Sequence, residues 1–212
     1  MAENVIRNMR LKKFEREQIR KTLLNIGRKL VVTKGSDFLT ARKLSEAANT
    51  SVGTIYNTFA TMDEFVAAEN KQTLQELYDA LTLVIPERNP YNTINRYADV
   101  FGSFVINNRN LWMLLYREHL FNAGRPLNAA YKKLLCKFEK LLEEQVRAIV
   151  GCLSKTERRI SMQVLGMAVF ALSGFLTADK EAKIRRINKE NLCKVLINTY
   201  LAGLNSLKRV CR

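Results

Sequence analysis

The stretch from Thr40 to Phe65, TARKLSEAANTSVGTIYNTFATMDEF, constrains the fold of this chain more than any other. Thr40 suits an N-cap, and Leu44, Ala47 and Ala48 then form an apolar stripe at helical spacing. Asn49-Thr50 breaks that pattern, and asparagine is the non-glycine residue that best tolerates a left-handed turn. Ser51 can cap a second short helix, Val52 to Asn57, with Ile55 and Phe59 on its buried side. Thr61-Met62-Asp63-Glu64 is a capping box that opens a third helix, and its acidic residues complement the positive helix end. Short helices joined by a tight turn, in a basic chain, predict a helix-turn-helix whose second helix enters a DNA major groove.

The motif Ser51-x-Gly53-Thr54-Ile55-Tyr56-x-x-Phe59, followed by a capped acidic helix start, resembles the TetR family of bacterial transcriptional regulators. The family pattern is near A-G-V-S-x-G-T-L-Y-x-x-F-x-S-K-E-x-L. Ala48, Ser51, Gly53, Thr54, Tyr56, Phe59 and Asp63 stand as it asks, with Ile55 for Leu, Thr61 for Ser and Phe65 for Leu. Asn49 replaces the turn glycine, Thr50 an apolar residue of similar shape, and Met62 a lysine that often touches phosphate in the family. The resemblance implies an all-α fold. Its N-terminal part, residues 1–60, would be a basic arm and a three-helix DNA-binding domain. Residues 61–85 would be a connecting helix, and residues 86–212 a larger helical domain for ligand binding and dimerisation. The function implied is that of a homodimeric transcriptional regulator, a repressor released from a palindromic operator by a small molecule.

Charge points the same way. The chain of 212 residues carries a formal net charge of +15, an excess that repels itself unless a polyanion is near. Nucleic acid is the first candidate partner and an acidic membrane surface the second. Residues 1–60 hold twelve Lys and Arg against five Asp and Glu, which marks this end as the DNA-facing one. Within them Arg7, Arg10, Lys12 and Lys13 read either as a frayed, solvated terminus or as an arm that follows phosphates.

Other chemistries find little support. Cys136, Cys152, Cys193 and Cys211 are widely spaced, and the lone His119 has no helical neighbour to complete a metal site. The cysteines therefore read as small buried apolar groups in a reducing cytoplasm, with redox sensing as an alternative. No nucleophile–base pair, carboxylate pair or phosphate-cradling glycine loop is visible, so neither an enzyme nor a bound cofactor is expected. The N-terminus lacks an apolar h-region, which adds to the expectation of a cytoplasmic protein.

The remaining helices follow from periodicity and punctuation. A first helix is expected from Glu15 to about Thr33, with Ile19, Leu23, Ile26, Leu30 and Val31 inward and Gly35 ending it. The helix opened by Thr61 should run to about Leu83, and Pro86 and Pro90 mark the domain boundary. Further helices are expected over Asn92–Ile106, Leu111–Phe121 and Leu127–Val150, the last with a Glu143–Arg147 pair on its polar side. Ser154-Lys155-Thr156-Glu157 is a second capping box. It opens the most apolar stretch, residues 160–178, which is long enough to span a bilayer but is diluted by Ser161, Gln163, Ser173 and Thr177. A soluble helix of that composition is expected to be packed on all sides, and a last helix runs from about Lys189 to Lys208.

Residues at the start of the second motif helix meet base edges. Ser51, Val52, Gly53, Thr54, Tyr56 and Asn57 are therefore the candidate DNA-reading set, with Thr40, Arg42 and Thr61 as backbone contacts. Asn57 suits adenine or a phosphate, and Thr54 a thymine methyl or a phosphate. By resemblance Tyr56 reaches a phosphate. The resemblance also implies an effector pocket in the second domain. Tyr97, Phe101, Phe104, Trp112, Tyr116, His119, Phe138 and Phe170 are its candidate lining, for an apolar or flat ligand. Val164, Ala168, Ala171, Phe175, Leu196, Thr199, Gly203 and Leu207 are candidates for a four-helix dimer interface. The alternative function is a basic helical protein that binds nucleic acid or membrane surfaces without sequence preference.

Overall fold

The computed structural model describes the backbone of residues 2–121, 129–177 and 189–210; side chains of residues 2–12, 118–121, 162, 189–191, 205 and 207–210 lie outside the description. Among the described residues there are nine α-helices and no strand. They are α1 (Ala2–Lys34), α2 (Ala41–Ala47), α3 (Val52–Thr58), α4 (Met62–Thr82) and α5 (Pro90–Asn107), then α6 (Arg109–Phe121), α7 (Ala129–Val150), α8 (Lys155–Thr177) and α9 (Lys189–Val210). The all-α expectation holds.

Two compact units form: Met1–Thr73 with Asn110–Arg117, and Leu74–Arg109 with Glu118–Arg212. The division falls inside α4, and the segment after Pro90 contributes Asn110–Arg117 to the first unit. α4 ends at Thr82, ahead of Pro86, and Pro90 opens α5, where a missing N–H and a fixed φ are tolerated. Asn89 caps α5, its side chain accepting from the Tyr91 N–H, with Pro90 in the first turn.

In the first unit, Leu23, Ala41, Leu44, Ile55, Phe59 and Phe65 form one buried cluster, which ties α1 to α2, α3 and the start of α4. Phe59 and Phe65 meet edge-on at 4.9 Å between ring centroids. A second cluster packs Val31 against Leu111 and Leu114 of α6. The Asn110 side-chain amide donates to the Val32 carbonyl, and Arg117 pairs with Asp37. α1 begins at Ala2, so the basic arm continues the helix instead of preceding it. Ile19 is exposed, although its spacing suggested burial, because only one stripe of so long a helix meets α2–α4.

In the second unit α5 packs against α7, α8 and α9. Ile94, Val146, Val150, Leu165, Tyr200, Leu201 and Leu204 form the buried cluster. The Ser161 and Tyr200 hydroxyls are 2.6 Å apart, and Tyr200 also donates to the Ser161 carbonyl at 3.2 Å. Burial pushes the Tyr200 phenol above its ordinary pKa, a rise the Ser161 hydrogen bond partly opposes. The pair predicted within α7 forms elsewhere: Glu143 accepts from Arg158 of α8 at 3.1 Å, since its capped start brings Arg158 beside α7.

α8 is long and apolar enough, by length and composition alone, to cross a membrane. It is not packed on all sides within this chain. Leu165, Leu172 and Leu176 are buried, and the Ser173 and Thr177 hydroxyls donate to carbonyls one turn back. Ile160, Val164 and Met167 remain exposed, Met167 by 66%. Of the cysteines, Cys193 is buried but Cys136 and Cys152 are exposed, contrary to expectation, on the outer side of α7 and in the turn after it. Cys211 lies outside the described residues.

Candidate nucleic-acid interface

Each turn of the motif is built by the residue its chemistry suggested. The Thr40 backbone is extended, and its hydroxyl accepts from the Lys43 N–H at 3.2 Å, starting α2. Asn49 takes a left-handed φ of 49°, and the Thr50 N–H closes the turn on the Ser45 carbonyl at 3.0 Å. Ser51 Oγ accepts from the Thr54 N–H at 3.1 Å and starts α3. Thr61 Oγ1 accepts from the Glu64 N–H at 3.1 Å. The returning bond of this capping box lands one residue early, with the Ala60 N–H donating to Glu64 Oε2 at 3.0 Å.

The helices divide most of their residues between core and solvent. Ile55 and Phe59 are fully buried. Ser51, Val52, Gly53, Tyr56 and Asn57 are exposed, Val52 by 39% and Tyr56 by 48%, and Thr54 is half-buried with its hydroxyl 3.0 Å from Ser51 Oγ. Thr40, Arg42 and Thr61 are exposed as well. All nine candidate DNA-contacting residues belong to the first unit. A Cβ at Gly53 would meet only Ser51 Oγ at 3.5 Å, an ordinary contact, so nothing within the unit demands glycine there.

Two features of this surface have no counterpart in the motif. Glu46 accepts from Arg42 Nε at 3.1 Å and from Lys43 Nζ at 3.0 Å, and these two cations, Lys43 foremost, lower its pKa. Arg20 of α1 donates to the Thr58 carbonyl and to Glu64 Oε1, both at 3.2 Å, and so braces the end of α3. Helical spacing can reveal the first, by the i, i+4 and i, i+3 separations; the second joins residues far apart in sequence.

The predicted pocket residues are divided between the two units. Trp112 and Tyr116 belong to the first unit, while Tyr97, Phe101, Phe104, Phe138 and Phe170 belong to the second. Trp112 and Tyr97 are buried, the latter with its phenol pKa raised by desolvation, and the other five are half-buried. The His119 side chain lies outside the described ones. A cavity of about 320 Å³ does exist in the second unit, but Leu142, Val146, Arg147, Arg158, Leu165 and Tyr200 are among its walls and none of the predicted aromatics is. Phe138 packs edge-on against Tyr78 at 5.4 Å.

Of the predicted dimer residues, Val164, Ala171, Thr199 and Gly203 are exposed and Ala168, Phe175 and Leu196 half-buried, while the Leu207 side chain lies outside the described ones. An apolar groove of about 510 Å³ runs along α8 and α9, lined in part by Val164, Ala168, Leu196, Thr199 and Gly203.

Solved structures share this fold. A TetR-like transcriptional regulator from Rhodococcus sp. RHA1 matches with a TM-score of 0.59 at 19% identity, over 89% of this chain and 95% of that one. This chain has the TetR-like fold. A TetR-family regulator from Streptomyces coelicolor shares it with a TM-score of 0.65 at 14% identity, over 92% of this chain and 84% of that one. So does FadR from Bacillus subtilis, solved in complex with stearoyl-CoA, with a TM-score of 0.65 at 11% identity over 86% and 98%. No family model matches the sequence, and no curated protein matches it. The likeness to TetR-like structures is thus one of fold, carried in the sequence chiefly by the motif around Gly53.

Proposed function

We propose that this chain is a sequence-specific, DNA-binding transcriptional regulator, a cytoplasmic homodimer without catalytic activity that represses from a palindromic operator and is released by a small molecule. One observation carries the reading. α3 commits Ile55 to the core and leaves Val52, Gly53, Tyr56 and Asn57 in solvent, on the helix that this fold uses as its reading helix. Glycine in a helix costs roughly 0.5–1 kcal/mol against alanine, and here no internal packing repays it. A closely approaching duplex would.

In this reading Thr40, Arg42, Thr61 and Tyr56 meet phosphates and set the register, while Val52, Thr54 and Asn57 face bases. The exposed apolar face of α8 and α9 meets its copy, and the two half-sites of the operator lie one duplex turn, ~34 Å, or a multiple apart. The effector enters the second unit. A neighbour that binds stearoyl-CoA supports the choice of a largely apolar ligand for this chain.

The test is binding to a random duplex library at physiological salt, followed by titration with Tyr56→Ala and Thr54→Ala. The reading expects an enriched palindrome, and variants that lose it while melting as wild type does. Equal competition by scrambled and selected duplexes would instead support a non-specific polyanion-binding protein. That alternative draws on the same net charge of +15.

A further inference from the structure

No lysine or arginine stands between Lys43 and Lys71. α3, the turn before it and the start of α4 therefore present no cationic side chain at all. This matters because the bases differ in what reads them. Guanine is read in the major groove chiefly by Arg or Lys at O6 and N7, adenine by Asn or Gln at N6 and N7, and thymine by apolar contact with its C5 methyl.

The exposed groups on α3 fit the second and third of these. Val52 offers an exposed apolar side chain. Thr54 has its hydroxyl engaged with Ser51 Oγ at 3.0 Å, and its methyl is the group it can offer a thymine. Asn57 is exposed, and among the described residues no hydrogen bond engages its amide. The nearest cations in sequence, Arg42 and Lys43, stand on α2 with their heads held by Glu46 at 3.1 and 3.0 Å. In the reading proposed above, Arg42 meets the DNA backbone and does not read bases.

We infer that the half-site read by this chain has A·T pairs beneath α3, with thymine methyls against Val52 and Thr54, an adenine edge against Asn57, and no guanine held by a cationic side chain. This rests on the DNA-reading function proposed above and names its substrate more narrowly.

The experiment starts from the palindrome selected with the full-length protein. Each thymine of one half-site is replaced in turn by deoxyuridine, which removes the C5 methyl and keeps every Watson–Crick and groove hydrogen bond. A buried methyl is worth roughly a fourfold change in affinity, so one or two positions should lose about that much. Val52→Ala, a change on the exposed face, should bind the thymine and deoxyuridine duplexes alike at its own position. Asn57→Ala should flatten the preference for adenine at one further position. A selected palindrome with G·C pairs throughout its half-sites, or deoxyuridine without effect throughout, overturns the inference and leaves the regulator reading standing. Absence of any selected sequence, with scrambled duplex competing equally, overturns both.

Discussion

The Arg20 guanidinium lies over the face of the Phe59 ring, 4.2 Å from carbon to centroid, while the same group donates to the Thr58 carbonyl. One side chain of α1 thus covers the last core aromatic of the motif and satisfies a carbonyl at the end of α3. Arg20→Ala should destabilise the first unit by about 1–2 kcal/mol, since a cation–π contact and a charged hydrogen bond are lost together. Arg20→Lys should recover less than half of this, because an ammonium lacks the planar fork. Urea unfolding followed by circular dichroism reads both; an unchanged midpoint for Arg20→Ala would refute the bracing role.

Gly27 faces Phe65 so closely that an added Cβ would come within 2.3 Å of the ring. Phe65 is fully buried and edge-packed on Phe59, so it has nowhere to retreat. Alanine is the better helix former, but overpacking of a filled core costs about 1–3 kcal/mol and should outweigh that gain. Gly27→Ala should therefore lower the melting temperature. A rise would mean that the Phe65 ring can move aside.

Glu46 is held below its ordinary carboxylate pKa by Lys43 and Arg42. If both cations turn to phosphate in the complex, the cause of that lowering is gone and the carboxylate pKa rises. DNA binding then takes up protons, so wild-type affinity should increase as the pH falls towards the carboxylate range, and this component should be missing in Glu46→Gln. At pH 7 Glu46→Gln should bind duplex about twofold or more tightly at low salt, and the difference should shrink as salt is raised. Fluorescence anisotropy across pH and salt tests both signs.

Val164 and Met167 expose apolar surface on α8, and Val195 does so on α9. Val164→Glu with Val195→Glu would bury charge if this face meets its copy. Sedimentation should shift from twice the 24.4 kDa chain mass to a single chain, with helicity retained. Operator affinity should fall steeply with it. A wild-type chain that sediments as a monomer at micromolar concentration would refute this interface outright.

Much of the candidate DNA surface was legible because its signals are local. A cap, a left-handed asparagine and a hydroxyl three residues before an N–H act within one turn, so Thr40, Asn49, Ser51 and Thr61 do in space what their order suggests. The brace from Arg20 and the pairing of Arg28 with buried Glu69 were not legible, since each joins residues about forty positions apart. Composition carried no information on how the aromatics divide: Trp112 belongs to the first unit and Tyr97 to the second, both buried.

The sequence by itself determined the helices, their caps and the split of α3 into a buried and an exposed face, because those depend on neighbours within a turn or two. Tertiary structure decided the rest. It assigned Asn110–Arg117 to the first unit, moved the Glu143 partner from Arg147 to Arg158, and left one side of α8 bare. Helical periodicity says which residues are apolar, but what covers them depends on packing between helices far apart in the chain.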